Sequence, residues 1–171
     1  IWRGRLGGLE YAKTAVALVL LRKVVLGPER FDRAFRRYID AWAFKSPQPA
    51  DFFRCMEDGA GMDLAWFWRG WFLETGTLDQ AVTDLTYSKD GKQIFLTLTN
   101  KGELVMPVEY KVTYNDGTSE VRKMPVEAWA TTNQWTAMWD SGGRTVKSVE
   151  LDPDGVLPDV DLSNNVWPRK K

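Results

Sequence analysis

Histidine is missing from all 171 residues of the chain. Its absence removes imidazole acid–base catalysis, Ser-His and Cys-His nucleophile pairs, and the usual zinc sites. Cysteine is almost missing. Cys55 has no second thiol to bond, so no internal disulfide can form, and inside a helical run it reads as a small core residue. Long apolar runs are missing as well: the longest, Ala15 to Leu21, is bracketed by Lys13, Arg22 and Lys23 and is too short to span a membrane. Net charge is also absent, because 23 basic residues cancel 23 acidic ones. Composition therefore gives no electrostatic reason for a nucleic-acid partner or a membrane surface. The chain begins at Ile1 in mid-pattern, with neither an initiator Met nor a signal peptide, and the expectation is a piece of a longer protein.

What is present is ordinary globular composition, 44% hydrophobic and 27% charged, with an excess of nine tryptophans spread over both halves. The length suits one large domain or two small ones. From Leu9 to Leu26 the run is rich in Ala and Leu and free of Gly and Pro, which predicts a helix. Tyr11, Ala15, Leu18 and Arg22 share one of its stripes, and Val16, Leu20 and Lys23 share another. Gly27-Pro28 ends this helix and starts the next. The second helix has an apolar face of Phe31, Phe35, Tyr38, Ile39 and Trp42, with Glu29–Arg33 and Asp32–Arg36 spaced as solvent-side pairs. Lys45-Ser46-Pro47-Gln48-Pro49 is a rigid turn. Pro49 then opens a short helix carrying Phe52, Phe53 and Met56, closed by Gly59 and Gly61. Asp63 can cap a last helix in which Leu64, Phe67, Trp68 and Trp71 share a face while Trp66 and Leu73 cover much of another. Such a helix, apolar nearly all round, is expected to be buried on several sides.

After Gly76 the hydrophobic period changes from 3.6 to 2. Ile94, Leu96 and Leu98 alternate, as do Leu104, Met106, Val108, Tyr110, Val112 and Tyr114. Asp90-Gly91 and Asp116-Gly117 are hairpin turns of the expected residue type. Further strands are expected near Val82–Tyr87, Ser119–Met124, Thr132–Trp139 and Thr145–Leu151, and the Pro- and Asp-rich tail reads as an ordered strap. The prediction is an α+β chain. An all-α helical subdomain occupies residues 1–78, and an antiparallel β-sandwich of the immunoglobulin-like kind, with a C-terminal strap, occupies residues 79–171.

Few residues in this frame suggest chemistry. Asp152, Asp154, Asp159, Asp161, Asn164 and Asn165 gather oxygen ligands, but their spacing does not fit a calcium loop, and Asp and Asn are common in turns. Glu57-Asp58 are neighbours on a helix and do not face each other. Trp129, Trp135 and Trp139 could form aromatic platforms for a glycan or peptide, as in a non-catalytic binding module. Tyr11, at a helix start, reads locally as a packing residue with its hydroxyl at the surface. Taken by themselves, the residues give no complete active site.

The order of motifs says more. Tyr11-Ala12-Lys13-Thr14-Ala15 opens a helix and is followed by Leu26-Gly27-Pro28-Glu29-Arg30-Phe31, Tyr38-Ile39, Asp51-Phe52-Phe53, Met56-Glu57, Gly61-Met62-Asp63-Leu64, Phe67 and Trp71. This series, over residues 9–76, resembles the stretch downstream of the zinc site in the aminopeptidase N-like gluzincin metallopeptidases, which reads Y-E-K-G-A, L-G-x-x-x-F, D-F-x-x-x-M-E, D-L-x-x-F and W. Bacterial forms read K-H-P-x-P where this chain has Lys45-Ser46-Pro47-Gln48-Pro49. The chain departs from the pattern at Ala12, Thr14 and Ser46, which stand for Glu, Gly and His. The family's H-E-x-x-H helix and distal Glu ligand are absent.

The resemblance implies a C-terminal fragment of a zinc metallopeptidase of aminopeptidase type, inactive by itself because the zinc ligands and general base lie elsewhere. Zinc and a peptide substrate are then implied for the full-length parent, and no cofactor or metal for this chain. Tyr11 would be the parent's oxyanion stabiliser. The implied partner is the rest of the peptidase lobe, with self-association of the bare fragment as a consequence of its loss. A bacterial source is implied, and a periplasmic or secreted location would fit it without being fixed by it.

Overall fold

The computed structural model describes residues 8–169. They divide into two compact units, one ending at Thr75 and the other beginning at Gly76. Among the described residues the architecture is α+β: four α-helices, then seven strands in two antiparallel sheets that form an immunoglobulin-like sandwich.

In the helical unit the first helix is a composite. A π-helical turn at Gly8–Lys13 leads into α1, Thr14–Leu20, and a second π turn at Leu21–Val25 follows. The buried face coincides with neither stripe as a whole, taking only Leu20 from them. Ala17, Leu20 and Leu21 are inside, whereas Tyr11, Ala15, Val16 and Val19 are exposed. Every residue from Ala15 to Leu21 is apolar, so the run carries no phase information. Polar tethers at its two ends set the rotation. At the far end Arg22 makes a bidentate pair with Asp32 (2.8 and 2.9 Å). Asp32 therefore pairs across to the neighbouring helix rather than along its own helix to Arg36.

Helix α2, Pro28–Trp42, starts on its proline, whose missing N–H would be unpaired there in any case. Helix α3, Pro49–Ala60, starts with the Asp51 carboxylate accepting from the Gln48 N–H at 2.8 Å, while the Asp51 N–H donates to the Gln48 main-chain carbonyl. The two helices cross closely at Gly59. A Cβ placed there would lie 2.6 Å from Ala34 Cα. Gly59 is thus a packing residue inside the helix, not its stop; the stop is Gly61, in the left-handed conformation at φ 61°. From this crossing a chain of rings runs through the unit. Phe31 stacks on Phe35, Tyr38 meets Phe52 edge-on at 5.0 Å, and Phe53 stacks on Trp68 at 4.6 Å.

Helix α4 is short, Ala65–Trp68, and continues as a π turn over Arg69–Leu73. The N-cap is Leu64, whose side chain cannot cap, so Asp63 falls one residue outside the expected position; its carboxylate accepts from the Ala65 N–H at 2.8 Å from there. Leu64, Phe67, Trp68 and Trp71 are buried together. The other face is not: Trp66 is half-buried and Leu73 is 71% exposed. The π turn spreads its residues over a wider arc than the 3.6-residue period assumed, which moves Leu73 off the buried side.

The second unit has β1 (Gln80–Tyr87), β2 (Gln93–Asn100), β3 (Val108–Tyr114), β4 (Ser119–Met124), β5 (Gln134–Asp140), β6 (Val146–Leu151) and β7 (Val166–Trp167). One sheet has the order β1-β2-β5, the other β4-β3-β6-β7. Ile94, Leu96 and Leu98 of one sheet and Val108, Tyr110, Val112 and Tyr114 of the other are buried, as period-2 alternation requires of inner faces. The alternation begins at Leu104, but the strand begins only at Val108, because Pro107 cannot donate to a ladder. The tail completes the unit. β7 pairs with β6, and Leu78 forms a parallel bridge with Asp159.

Candidate functional site

Tyr11 lies in the π turn at the start of the first helix and is 79% exposed. Two residues on, Lys13 reaches back into the unit. Its ammonium donates to the carbonyl oxygen of Glu74 at 2.7 Å and to that of Gly70 at 3.4 Å. Both carbonyls lie at the C-terminal end of the last helix, where the final carbonyls have no intrahelical partner and the helix dipole favours a cation. Burial lowers the pKa of Lys13, and the nearby Glu74 charge opposes that shift. The Glu74 carboxylate itself is held by Arg69 at 2.7 Å. Sequence reasoning missed Lys13. Its signal was the lysine two places after the tyrosine, with a helix end of free carbonyls sixty residues downstream that no local pattern connects to it.

The other candidate residues take structural work. Glu57 and Asp58 do point apart, as neighbours on a helix must. Glu57 Oε1 accepts from the Leu64 N–H (3.1 Å) and the Trp68 indole N–H (3.0 Å), fastening α3 to the start of α4. Asp58 is exposed and takes no part. In the tail, Asp152 accepts from Leu157 N–H, Asp159 from Gln80 and Asp161 N–H groups, and Asp161 from Ser163 N–H and the Asn164 amide. These oxygens bond turns and strap. Among the described residues no group of three His, Cys, Asp or Glu is placed to hold a metal ion.

The aromatic platform does not form. Trp129 and Trp139 are buried, with indole N–H groups donating to Met106 O (3.0 Å) and Tyr114 Oη (3.1 Å). Trp135 is half-buried on the same inward side of β5 as Ala137 and Trp139, since alternate residues of a strand share a face. The outer face of β5 shows Gln134, Thr136, Met138 and Asp140 instead.

Trp139 belongs to a charged cluster at the open edge between β4 and β5. The Arg122 guanidinium stacks on its ring at 4.5 Å, and that of Arg144 lies 3.9 Å over Tyr114. Glu120 accepts from the Tyr114 hydroxyl and from Arg122 (3.1 Å), with Arg144 at 4.0 Å. Burial pushes the Glu120 carboxyl up, but these partners outweigh it and hold the group below the usual glutamate range. The Tyr114 hydroxyl is pushed up, by burial first and then by its bond to Glu120.

No family model matches the chain, and no curated protein matches it. Among solved structures it is similar to Legionella pneumophila aminopeptidase A, crystallised in complex with aspartic acid, at a TM-score of 0.58 and 19% identity. The likeness covers 82% of this chain and 16% of that one, so the chain spans a small part of the aminopeptidase's length. At this identity the likeness is one of fold. Among the described residues no helix is long and apolar enough to cross a membrane.

Proposed function

We propose that this chain is the C-terminal part of an aminopeptidase-like zinc metallopeptidase of the gluzincin kind, and that Tyr11 stabilises the oxyanion during peptide hydrolysis by the full-length protein. The observation that carries the reading is the exposure of Tyr11 on a helical turn that Lys13 ties to the unit. A tyrosine kept for packing would be covered. One kept to meet a reacting group must be presented, with its hydroxyl free to donate. Two further points support the reading: the ordered motif series from Tyr11 to Trp71, and the fold likeness to an aminopeptidase.

The residues of this chain do not fit a zinc ion. The sequence has no histidine, and no suitable cluster of ligands forms among the described residues. The ligands and general base therefore belong to another part of the parent, and this chain contributes the tyrosine and its support. The bare apolar side chains further along the same helix, Val16 and Val19, are ones the rest of the peptidase lobe would cover. In the isolated fragment the same side chains favour pairing of two copies. In the full-length protein, Tyr11→Phe should lower kcat by roughly two to three orders of magnitude with little effect on folding. A kcat near that of the wild type would return Tyr11 to the role of an ordinary surface residue.

A further inference from the structure

We infer that Lys13 is a positioning residue for Tyr11, fixing the tyrosine's turn to the end of the last helix; the inference rests on the role proposed above for Tyr11. The tyrosine side chain is exposed, so its location is set by its backbone turn. That turn is π-helical and terminal, and both properties make it prone to fray. The first buried apolar side chain after it is Ala17, more than a turn away. Among the described residues, the side-chain hydrogen bonds that tie the stretch from Tyr11 to Ala17 to the end of the last helix are those of the Lys13 ammonium to the carbonyls of Glu74 and Gly70. Lysine suits the task, because one compact charge with three donors can serve two carbonyls of a helix end. Tyr11 thereby takes its position from the helix that carries Phe67, Trp68 and Trp71, all three buried.

A residue that positions a catalytic group should act only through that group. In the full-length protein, Lys13→Met should lower kcat by about 10- to 100-fold with KM nearly unchanged, the range expected when a reacting group is displaced by about 1 Å. Lys13→Arg, which keeps the charge and the donors, should recover most of the loss. The double variant Lys13→Met/Tyr11→Phe should be no slower than Tyr11→Phe alone. Losses that multiply in the double variant, or a wild-type kcat in Lys13→Met, would overturn the inference and leave the reading of Tyr11 standing. A wild-type kcat in Tyr11→Phe would remove that reading and this inference together. Amide hydrogen exchange in the 171-residue chain checks the tie without catalysis. Lys13→Met should speed exchange from Lys13 to Ala17 at least about tenfold and leave Leu20 to Leu26 unchanged. Unchanged protection from Lys13 to Ala17 would overturn the inference as well.

Discussion

Replacing Gly59 by alanine tests how the helical unit is assembled, because two effects of opposite sign meet at that position. In an unobstructed helix interior, Gly→Ala stabilises by about 0.8–1 kcal/mol through backbone entropy. Here the new Cβ would sit 2.6 Å from Ala34 Cα and 2.8 Å from Ala34 Cβ. Carbon atoms in ordinary contact are about 3.5–4.0 Å apart, so α2 and α3 must separate by roughly 1 Å. The obstacle is backbone, which cannot swing aside as a long side chain would. Forcing a methyl group into a packed site costs about 1–3 kcal/mol. The separation also loosens the edge-on contact of Tyr38 with Phe52, now at 5.0 Å, of a kind worth about 0.5–1.5 kcal/mol. The overpacking term wins, and Gly59→Ala should destabilise by about 1–2 kcal/mol net. Urea unfolding followed by circular dichroism at 222 nm reports on the helices and would measure it. Adding Ala34→Gly should restore only part of the loss, since the contact with Ala34 Cα remains. A gain of about 1 kcal/mol in Gly59→Ala, the value for an open helical glycine, would refute the close crossing.

Glu57→Ala should cost about 1–3 kcal/mol, because it leaves the Leu64 N–H and the Trp68 indole N–H without their shared acceptor, while Glu57→Gln keeps one oxygen and should cost less. Equal losses in the two variants, measured by the same urea titration, would mean that the bracket is not what matters. For Glu120, a folded pKa below the unfolded one contributes stability that is present above the unfolded glutamate range and lost as pH falls through the folded value. Melting followed by near-ultraviolet dichroism should therefore fall off more steeply below about pH 4 in the wild type than in Glu120→Gln; parallel pH profiles would contradict this.

The β half was the more legible in sequence, for a physical reason. Alternation with a period of 2 is rigid, so Ile94-Phe95-Leu96-Thr97-Leu98 declares its inward face at once. Asp90-Gly91 and Asp116-Gly117 mark their own turns, with Asp90 and Asp116 accepting from the Lys92 and Thr118 N–H groups. The helical half hid more. In Ala15–Leu21 no polar residue marks the outer side, and the π turns break the period used to assign faces. Gly59 reads in sequence as a stop because glycine so often is one, and only the approach of Ala34 shows otherwise. For the candidate site, Tyr11 was named from its motif, but the roles of Lys13 and Glu57 depend on partners that are distant in sequence. Nor could strand periodicity tell Trp139 as a platform from Trp139 as a roof for Arg122.

The strap that closes the β unit also orders events during synthesis. Asp159 takes the Gln80 N–H, 79 residues back, and Asn164 bonds Asp79 across 85 residues. A ribosome delivers the N-terminal side first, so α2 can dock on α3 early through contacts close along the chain. The start of β1, by contrast, emerges bare around Leu78 and Gln80 and stays so until the segment around Asp159 leaves the exit tunnel. An unpaired strand margin is a template for pairing with a neighbouring nascent chain. Translation of the residues between Leu151 and Asn164 therefore sets how long that margin stays exposed, and slow codons in that stretch should lower the yield of folded product.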